Sequence, residues 1–281
     1  MNNRSYLYLL APLHTGGTTQ EGNLLGIARE SHTNLPYIPS STIRGRLRSS
    51  TSDRVIRIRL FGPDFKDIQN KALLEEYELA TGRTLIQLEQ GDIWIGDASV
   101  LWLPVSSLSH GAIWISCPML LRRWGQFDPS VSEDIPAPYS TNLAGSRVYL
   151  KDAILQAENL QHWEDWQDFI PQHPTTRAIE RVLVLPDQHC ATLIQMGLWR
   201  QVKVKLDENK TVEGGFRYEE AIPPDTLMYF PWGMTGIANS STSVSQAQFE
   251  DLLEECSILQ LGGQESLGRG FVQQWSLPPI D

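Results

Sequence analysis

Six arginines crowd one short stretch: Arg44, Arg46, Arg48, Arg54, Arg57 and Arg59, against Asp53 alone. A guanidinium is always charged, and its planar fork fits phosphate oxygens. Arg44 and Arg48 are four residues apart, so in a helix they share one face. Just ahead, Leu35-Pro36-Tyr37-Ile38-Pro39 reads as an extended entry, because each proline disfavours helix before it. Ser40-Ser41-Thr42 then offers an N-cap. The free N–H groups of a helix's first turn attract anions. Two readings stay open. One is a phosphate-backbone site built from Ser40, Ser41, Arg44 and Arg48. The other is an ordinary capped helix with a solvated basic face.

A second segment, Leu259 to Val272, sets Gly262, Gly263, Gly268 and Gly270 around Arg269. Glycine permits close backbone approach and positive φ, which suits a loop that wraps a ligand. It equally suits a tight turn between a helix and a strand. The Walker and Rossmann spacings are absent. His14 precedes Gly16-Gly17 and is a candidate general base, or an ordinary hydrogen-bonded histidine. Trp163, Trp166, Trp199, Trp232 and Tyr218 could stack on bases, although core packing explains most tryptophans as well. No metal-ligand spacing, catalytic triad order or carboxylate pair emerges.

The elements that must position these residues follow from pattern. Tyr6 to Leu13 reads as a strand, followed by a polar Gly-rich loop from His14 to Asn23. Ile43 to Arg57 and Lys66 to Thr81 read as helices. Asp92 to Ala98 and Gly111 to Cys117 alternate like strands, and a helix starts after Pro118. Gln126 to Gly145 reads as a loop, and Arg181 to Leu185 as a strand. Gln201 to Asp207 and Gly214 to Glu220 form a hairpin around Glu208-Asn209-Lys210. Leu227 to Phe230 is a strand. Ser240 to Gln246 reads as a flexible loop, Gln248 to Cys256 as an amphipathic helix, and Gly268 to Val272 as a final strand. Interspersed helices and largely antiparallel strands indicate an α+β fold.

At 281 residues, 41% hydrophobic and 20% charged, the chain fits one elaborated domain spanning residues 1–281, or one domain plus an insertion. The net charge of −10 argues against indiscriminate nucleic-acid binding. The field that a polyanion meets is local, however, so an acidic protein can carry a basic groove. No apolar run reaches membrane-spanning length, so no membrane partner is expected. The start, Met1-Asn2-Asn3-Arg4 followed by Tyr6 to Leu10, reads as a first strand rather than a signal peptide. Cys117, Cys190 and Cys256 lie far apart, so reduced thiols and a cytoplasmic location are expected.

Taken together, the motifs resemble the RAMP superfamily of CRISPR effector subunits, and most closely the backbone subunit of the type III-B (Cmr) RNA-targeting complex. The stretches that carry the likeness are LHTGG (Leu13 to Gly17), IARESHTNLPYIPSSTIRGRLR (Ile27 to Arg48), LFG (Leu60 to Gly62) and GDIWIGDASVLWLPVSS (Gly91 to Ser107). They continue with ISCPMLLRR (Ile115 to Arg123), GGFRYEEAIPPDTLMYF (Gly214 to Phe230) and LGGQESLGRG (Leu261 to Gly270).

The resemblance implies a ferredoxin-like (RRM-like) palm with an inserted β-hairpin thumb, placed between Val182 and Glu220 and best at Trp199 to Gly215. It implies partners: crRNA, complementary target RNA, further copies of the chain and other type III effector subunits. It assigns Ser40, Ser41, Arg44 and Arg48 to guide phosphates, and Gly262, Gly263, Gly268, Arg269 and Gly270 to a loop beside the RNA. Lys203 and Lys205 would serve the thumb.

The helix entry, Ser40-Ser41-Thr42, departs from the family's Gly-Ser-Ser. The slicing Asp of active members falls at Leu24, beside Asn23. The expectation is therefore a guide-RNA scaffold with weak or absent slicing, needing no cofactor to bind. The alternative is a metal-dependent endoribonuclease that uses Glu21, helped by His14, with Mg²⁺ or a similar ion. A third reading, free of the resemblance, is an α+β enzyme or interaction protein that binds a small phosphorylated ligand.

Overall fold

The computed structural model describes residues 3–21, 24–127, 134–143, 145, 147–236 and 242–277, with the backbone alone for 17–21, 206, 214 and 242. The strands in the first half are β1 (Asn3–Leu9), β2 (Gly16–Glu21), β3 (Leu24–Ile27), β4 (Tyr37–Ile38), β5 (Ile93–Ile95), β6 (Ala98–Ser107) and β7 (Gly111–Ser116). Between β4 and β5 stand α1 (Ser40–Ser50), α2 (Arg54–Phe61), α3 (Phe65–Gln69) and α4 (Lys71–Thr81). After β7 come α5 (Pro118–Gly125), β8 (Ser140–Thr141), β9 (Val148–Tyr149), β10 (Ile154–Leu155), β11 (Gln161–His162), β12 (Val182–Val184) and α6 (Asp187–Gly197). The chain closes with β13 (Trp199–Leu206), β14 (Val212–Ala221), β15 (Leu227–Met234), α7 (Thr242–Glu255), β16 (Ile258–Gln260) and β17 (Phe271–Ser276). The fold is mixed α+β, as expected.

The main sheet runs β11-β8-β12-β7-β6-β15-β1-β17-β16, with β4 added on β6 and β5 on β15. Both faces are buried, so its strands read as near-continuous apolar runs. In β1, Leu7 and Leu9 join one core while Tyr6 and Tyr8 join the other. In β15, Met228, Phe230 and Trp232 face the first core, and Leu227 and Tyr229 the second. The register of β6 against β15 shifts between Leu227 and Met228, so Leu101 and Trp102 both reach the second core. Helices α1, α2, α6 and α7 cover the first face through Ile43 and Leu47, Leu60 and Phe61, Leu193 and Ile194, and Phe249 and Leu253.

A smaller sheet, β13-β14-β3-β2, joins the β13–β14 hairpin to the β2–β3 pair. Here β14 pairs parallel to β3, Tyr218 opposite Leu24 and Glu219 opposite Leu25. The polar stretch from His14 to Asn23 is therefore not a loop throughout: Gly16 to Glu21 is a strand, because β3 supplies its ladder. Gly22 and Asn23 lie outside the described residues.

Other boundaries differ from the sequence reading for local reasons. The helix expected from Ile43 to Arg57 is two. It breaks at Thr51, which is extended, and restarts where the Asp53 side chain accepts from the Ile56 amide. The helix expected from Lys66 to Thr81 breaks at Asn70, whose side chain caps Leu73. Beta1 stops at Leu9, and Asp92 to Ala98 divides between β5 and β6. Within Gln126 to Gly145, Ser140–Thr141 pairs as β8, while residues 128–133 are not described. Helix α6 was not expected: Pro186 opens it without a side-chain cap, although Cys190, Leu193 and Ile194 carry helical spacing. Helix α7 already includes Thr242 to Gln246, and the last strand starts at Phe271.

Candidate nucleic-acid interface

The arginine segment folds back on itself. Arg44 and Arg48 share one face of α1, as their spacing requires. Both guanidiniums are spent on the carbonyl end of α2: Arg44 donates to the Phe61 carbonyl and Arg48 to the Gly62 carbonyl. Cations there offset the negative end of the helix dipole. Arg44 also stands over the Phe61 ring, 5.7 Å from its centroid. Burial, with Arg48 nearby, moves the pKa of Arg44 below its ordinary value.

Asp67, 1% exposed, draws in three more contacts: Arg48 at 3.3 Å, Arg57 at 3.0 Å and Arg54 at 3.6 Å. At the front of α1, Pro39 occupies the N-cap position, and no side-chain cap forms. The Ser40 amide donates 2.6 Å to the Asp97 carboxylate. The expected anion position thus already holds a carboxylate of the chain, and the fork-bearing arginines face inward.

The glycine segment shows the same economy. Gly263 donates its amide to the His14 carbonyl (2.8 Å), and Gly270 to the Pro12 carbonyl (3.0 Å). Gly270 has φ +80°, and a Cβ there would meet the Leu261 carbonyl oxygen at 1.9 Å. The close approaches that glycine permits here are within the chain itself, Gly270 to Leu261 and Gly262 to His14. Gly268, at φ +72°, ends the short turn before Arg269.

His14, Glu219, Glu220 and Arg269 meet at the root of the β13–β14 hairpin. His14 is buried, and its Nδ1–H donates to the Glu220 carbonyl at 2.7 Å. A carbonyl only accepts, so Nδ1 carries the proton of this bond. The Glu219 carboxylate takes Lys203 Nζ at 2.7 Å and Arg269 at 3.2 Å. Burial pushes the Glu219 carboxyl up, but hydrogen bonds from Lys203 and Gln264 and the charges of Lys203 and Arg269 outweigh it and hold the pKa below 4.5. The Glu220 carboxylate takes Arg29 at 2.7 Å and Arg200 at 2.9 Å.

A groove of about 640 Å³ opens beside this root, lined among others by Leu24, Arg29, Glu30, Tyr37, Arg200 and Glu220. Glu30 is held below its ordinary pKa: burial raises it, and hydrogen bonds from Arg123 and Thr33 more than compensate. Leu24, at the position where a slicing carboxylate was expected, lies against Tyr218 on one side and Glu21 on the other.

Glu21 and His14 are not brought together. Glu21 is the last residue of β2, opposite Leu24, and His14 stands two residues before the first, Gly16, which pairs with Ile27. At strand rise, with the register shift, their backbones stand on the order of 15 Å apart. Lys205 pairs with Glu213 at 2.8 Å. Of the aromatic candidates, Trp232 is core, Trp163 stacks on Trp102, and Trp166 packs against the second core. Trp199 lies under the Arg269 guanidinium, 4.5 Å from Cζ. Tyr218 is exposed and is joined by Phe216, Val202 and Val204. The register places Val202 opposite Tyr218 and Val204 opposite Phe216, so the four form one apolar face of the hairpin. The alternation of Val202 and Val204 with Lys203 and Lys205 gave the hairpin one polar face; that its apolar face stays exposed is decided by the fold.

Among the described residues, no three His, Cys, Asp or Glu side chains converge to hold a metal ion, and no helix is long and apolar enough to cross a membrane. Cys117 and Cys190 are buried free thiols, and Cys256 is partly buried.

The model of the RAMP superfamily matches residues 6–273. The chain belongs to the RAMP superfamily. This RAMP protein is 26% identical over 296 residues to the CRISPR system Cmr endoribonuclease Cmr4 of Pyrococcus furiosus, an overlap of 95% of this chain and 92% of that protein. Its fold matches a crystal structure of Cmr4 with a TM-score of 0.68, at 22% identity and 99% coverage of both chains. It matches a chain from the cryo-EM structure of the type III-B Cmr-beta complex bound to cognate target RNA with a TM-score of 0.73, at 18% identity and 98% and 97% coverage.

Proposed function

We propose that this chain is the guide-RNA-binding backbone subunit of a type III CRISPR effector of the Cmr kind. Copies of it line up along crRNA, beside other effector subunits, and present complementary target RNA for antiviral defence. The observation that carries this reading is the full-length likeness to Cmr4. The main sheet with its helices is the ferredoxin-like palm, and the β13–β14 hairpin is the thumb. The exposed rings of Phe216 and Tyr218 suit stacking on nucleobases, which needs no sequence readout. Guide and target supply the sequence by pairing, so the protein needs only phosphate contacts along a groove.

Ser40, Ser41, Lys203 and Lys205 remain candidates for those contacts, with the half-exposed Arg54 and Arg200 beside them. Arg44 and Arg48 act from behind, by holding α1 against α2. Gly262, Gly263, Gly268, Arg269 and Gly270 shape the loop beside the RNA. Weak per-copy contacts add along one strand. The copies work in the cytoplasm. Binding needs no cofactor.

Slicing is weak or absent in this reading. Leu24 cannot ligate a divalent ion or take a proton, and Glu220, across the same groove, is spent on two guanidiniums. One observation favours a second reading: Glu21 sits directly opposite Leu24 in the β2–β3 register. A carboxylate displaced by one strand could hold Mg²⁺ and cut the target, helped by His14. The assembled complex, given end-labelled complementary RNA and Mg²⁺, separates the two. Guide-dependent binding without cuts supports the scaffold. A ladder of evenly spaced cuts that disappears in Glu21→Ala supports the nuclease.

A further inference from the structure

Glu219 and Glu220 are consecutive on β14, so their side chains leave opposite faces of the small sheet. Each is gripped by two cations. Lys203 and Arg269 hold Glu219 on one face, and Arg29 and Arg200 hold Glu220 on the other. Of these four cations, only Arg269 comes from the glycine loop.

Arg269 is 4% exposed. One terminal nitrogen donates to Glu219 at 3.2 Å and to the Gln264 side chain, and the other to Gln201 at 2.7 Å. The guanidinium carbon stands over the Trp199 ring, 4.5 Å from its centroid. Three of these partners, Glu219, Gln201 and Trp199, belong to the hairpin, whereas Gln264 belongs to the loop. The loop is in turn fixed to the body through Gly263 on His14 and Gly270 on Pro12. A guanidinium committed in this way is not a phosphate ligand.

We propose that Arg269 is a positioning residue. It straps the root of the β13–β14 hairpin to the glycine loop, so that the two move as one body and RNA seated against either is felt by the other. The first part stands on the geometry alone; the second deepens the RNA-binding reading and rests on it. A fork suits this task because it meets two acceptors, on β13 and β14, while standing over Trp199 at the start of β13. The Arg29–Glu220 contact holds the hairpin from the other face and does not involve the loop, so it serves as the internal control.

Hydrogen exchange on the full chain tests this, alone and with a long oligouridylate as the probe. Without RNA, Arg269→Gln raises exchange about tenfold both in residues 199–203 and in residues 262–268. Gln201→Leu, a change on the exposed flank of the hairpin, gives the same paired pattern at smaller amplitude. Arg29→Gln raises exchange in the hairpin root alone. With RNA, both segments slow in the wild type and only one of them in Arg269→Gln. Acceleration confined to one segment in Arg269→Gln overturns the strap. So does RNA that still slows both segments in that variant. If the oligouridylate slows neither segment of the wild type, the RNA reading falls, and the RNA-free comparison still decides the strap.

Discussion

Gly262 lies against the carbonyl of His14: at φ +82°, a Cβ on Gly262 would stand 2.4 Å from that oxygen. The obstacle is backbone, so it cannot swing aside. Gly262→Ala therefore lifts the glycine loop off residues 12–14 or strains both. A loss of about 2–4 kcal/mol in urea unfolding is expected. Gly268→Ala is the comparison, because its φ of +72° is equally unfavourable but nothing lies within 4 Å of the new methyl. It should cost about 1 kcal/mol. Equal losses would contradict the contact.

Asp67 is the second pivot. It is buried, and Arg48, Arg54 and Arg57 converge on it. Asp67→Asn keeps the shape and removes the charge that Arg54 and Arg57 share, and leaves Arg48 with Asp64 alone, at 3.5 Å. Destabilisation by about 3 kcal/mol is expected in denaturant titrations. A neutral result would show that the cluster is solvated in solution.

The acid side of the stability profile carries a sign. The carboxyls of Glu219 and Glu30 have folded pKa values below the ordinary 4.5. The native state therefore binds fewer protons than the unfolded chain in that range. Their contribution is complete above the unfolded value and is lost as pH falls through the folded one. Stability should be flat near neutrality in these two groups and should drop as pH falls below the ordinary carboxylate range. Glu219→Gln removes its share of that slope. A slope unchanged in the variant would assign the acid loss elsewhere.

Asp97 guards the start of α1 through the Ser40 amide. Asp97→Ala removes that acceptor and should cost about 1 kcal/mol in thermal unfolding. If the α1 terminus serves phosphate, the same change frees the amide and tightens RNA binding at low salt. Filter binding of labelled RNA reads this directly, and weaker binding would remove Ser40 from the interface.

Leu24→Asp returns a carboxylate to the strand pair beside Arg29 and Arg200. In the assembled complex with Mg²⁺ it should gain evenly spaced cuts in target RNA, while Glu21→Ala leaves binding unchanged. No cutting by Leu24→Asp, with binding intact, would mean that the groove has lost more than one group.

The sequence by itself determined the class, the family likeness, the hairpin and the set of charged residues at issue. Alternating patterns survive folding because side-chain direction along a strand is a local property. Trp199 to Ala221 shows this, since Lys203 and Lys205 alternate with Val202 and Val204 before any partner is known. The charges alone did not reveal their partners. Arg44 and Arg48 share a face by spacing, but only the arrival of the α2 carboxyl end turns that face inward. Asp97 lies 57 residues from the Ser40 amide it caps, and Arg269 lies 50 from Glu219. His14 to Asn23 looked like a loop because its ladder comes from β3, and β3 in turn leans on β14, nearly two hundred residues away. Burial and pairing of charge depend on which distant segments exclude water together, and that is settled only when the sheets close.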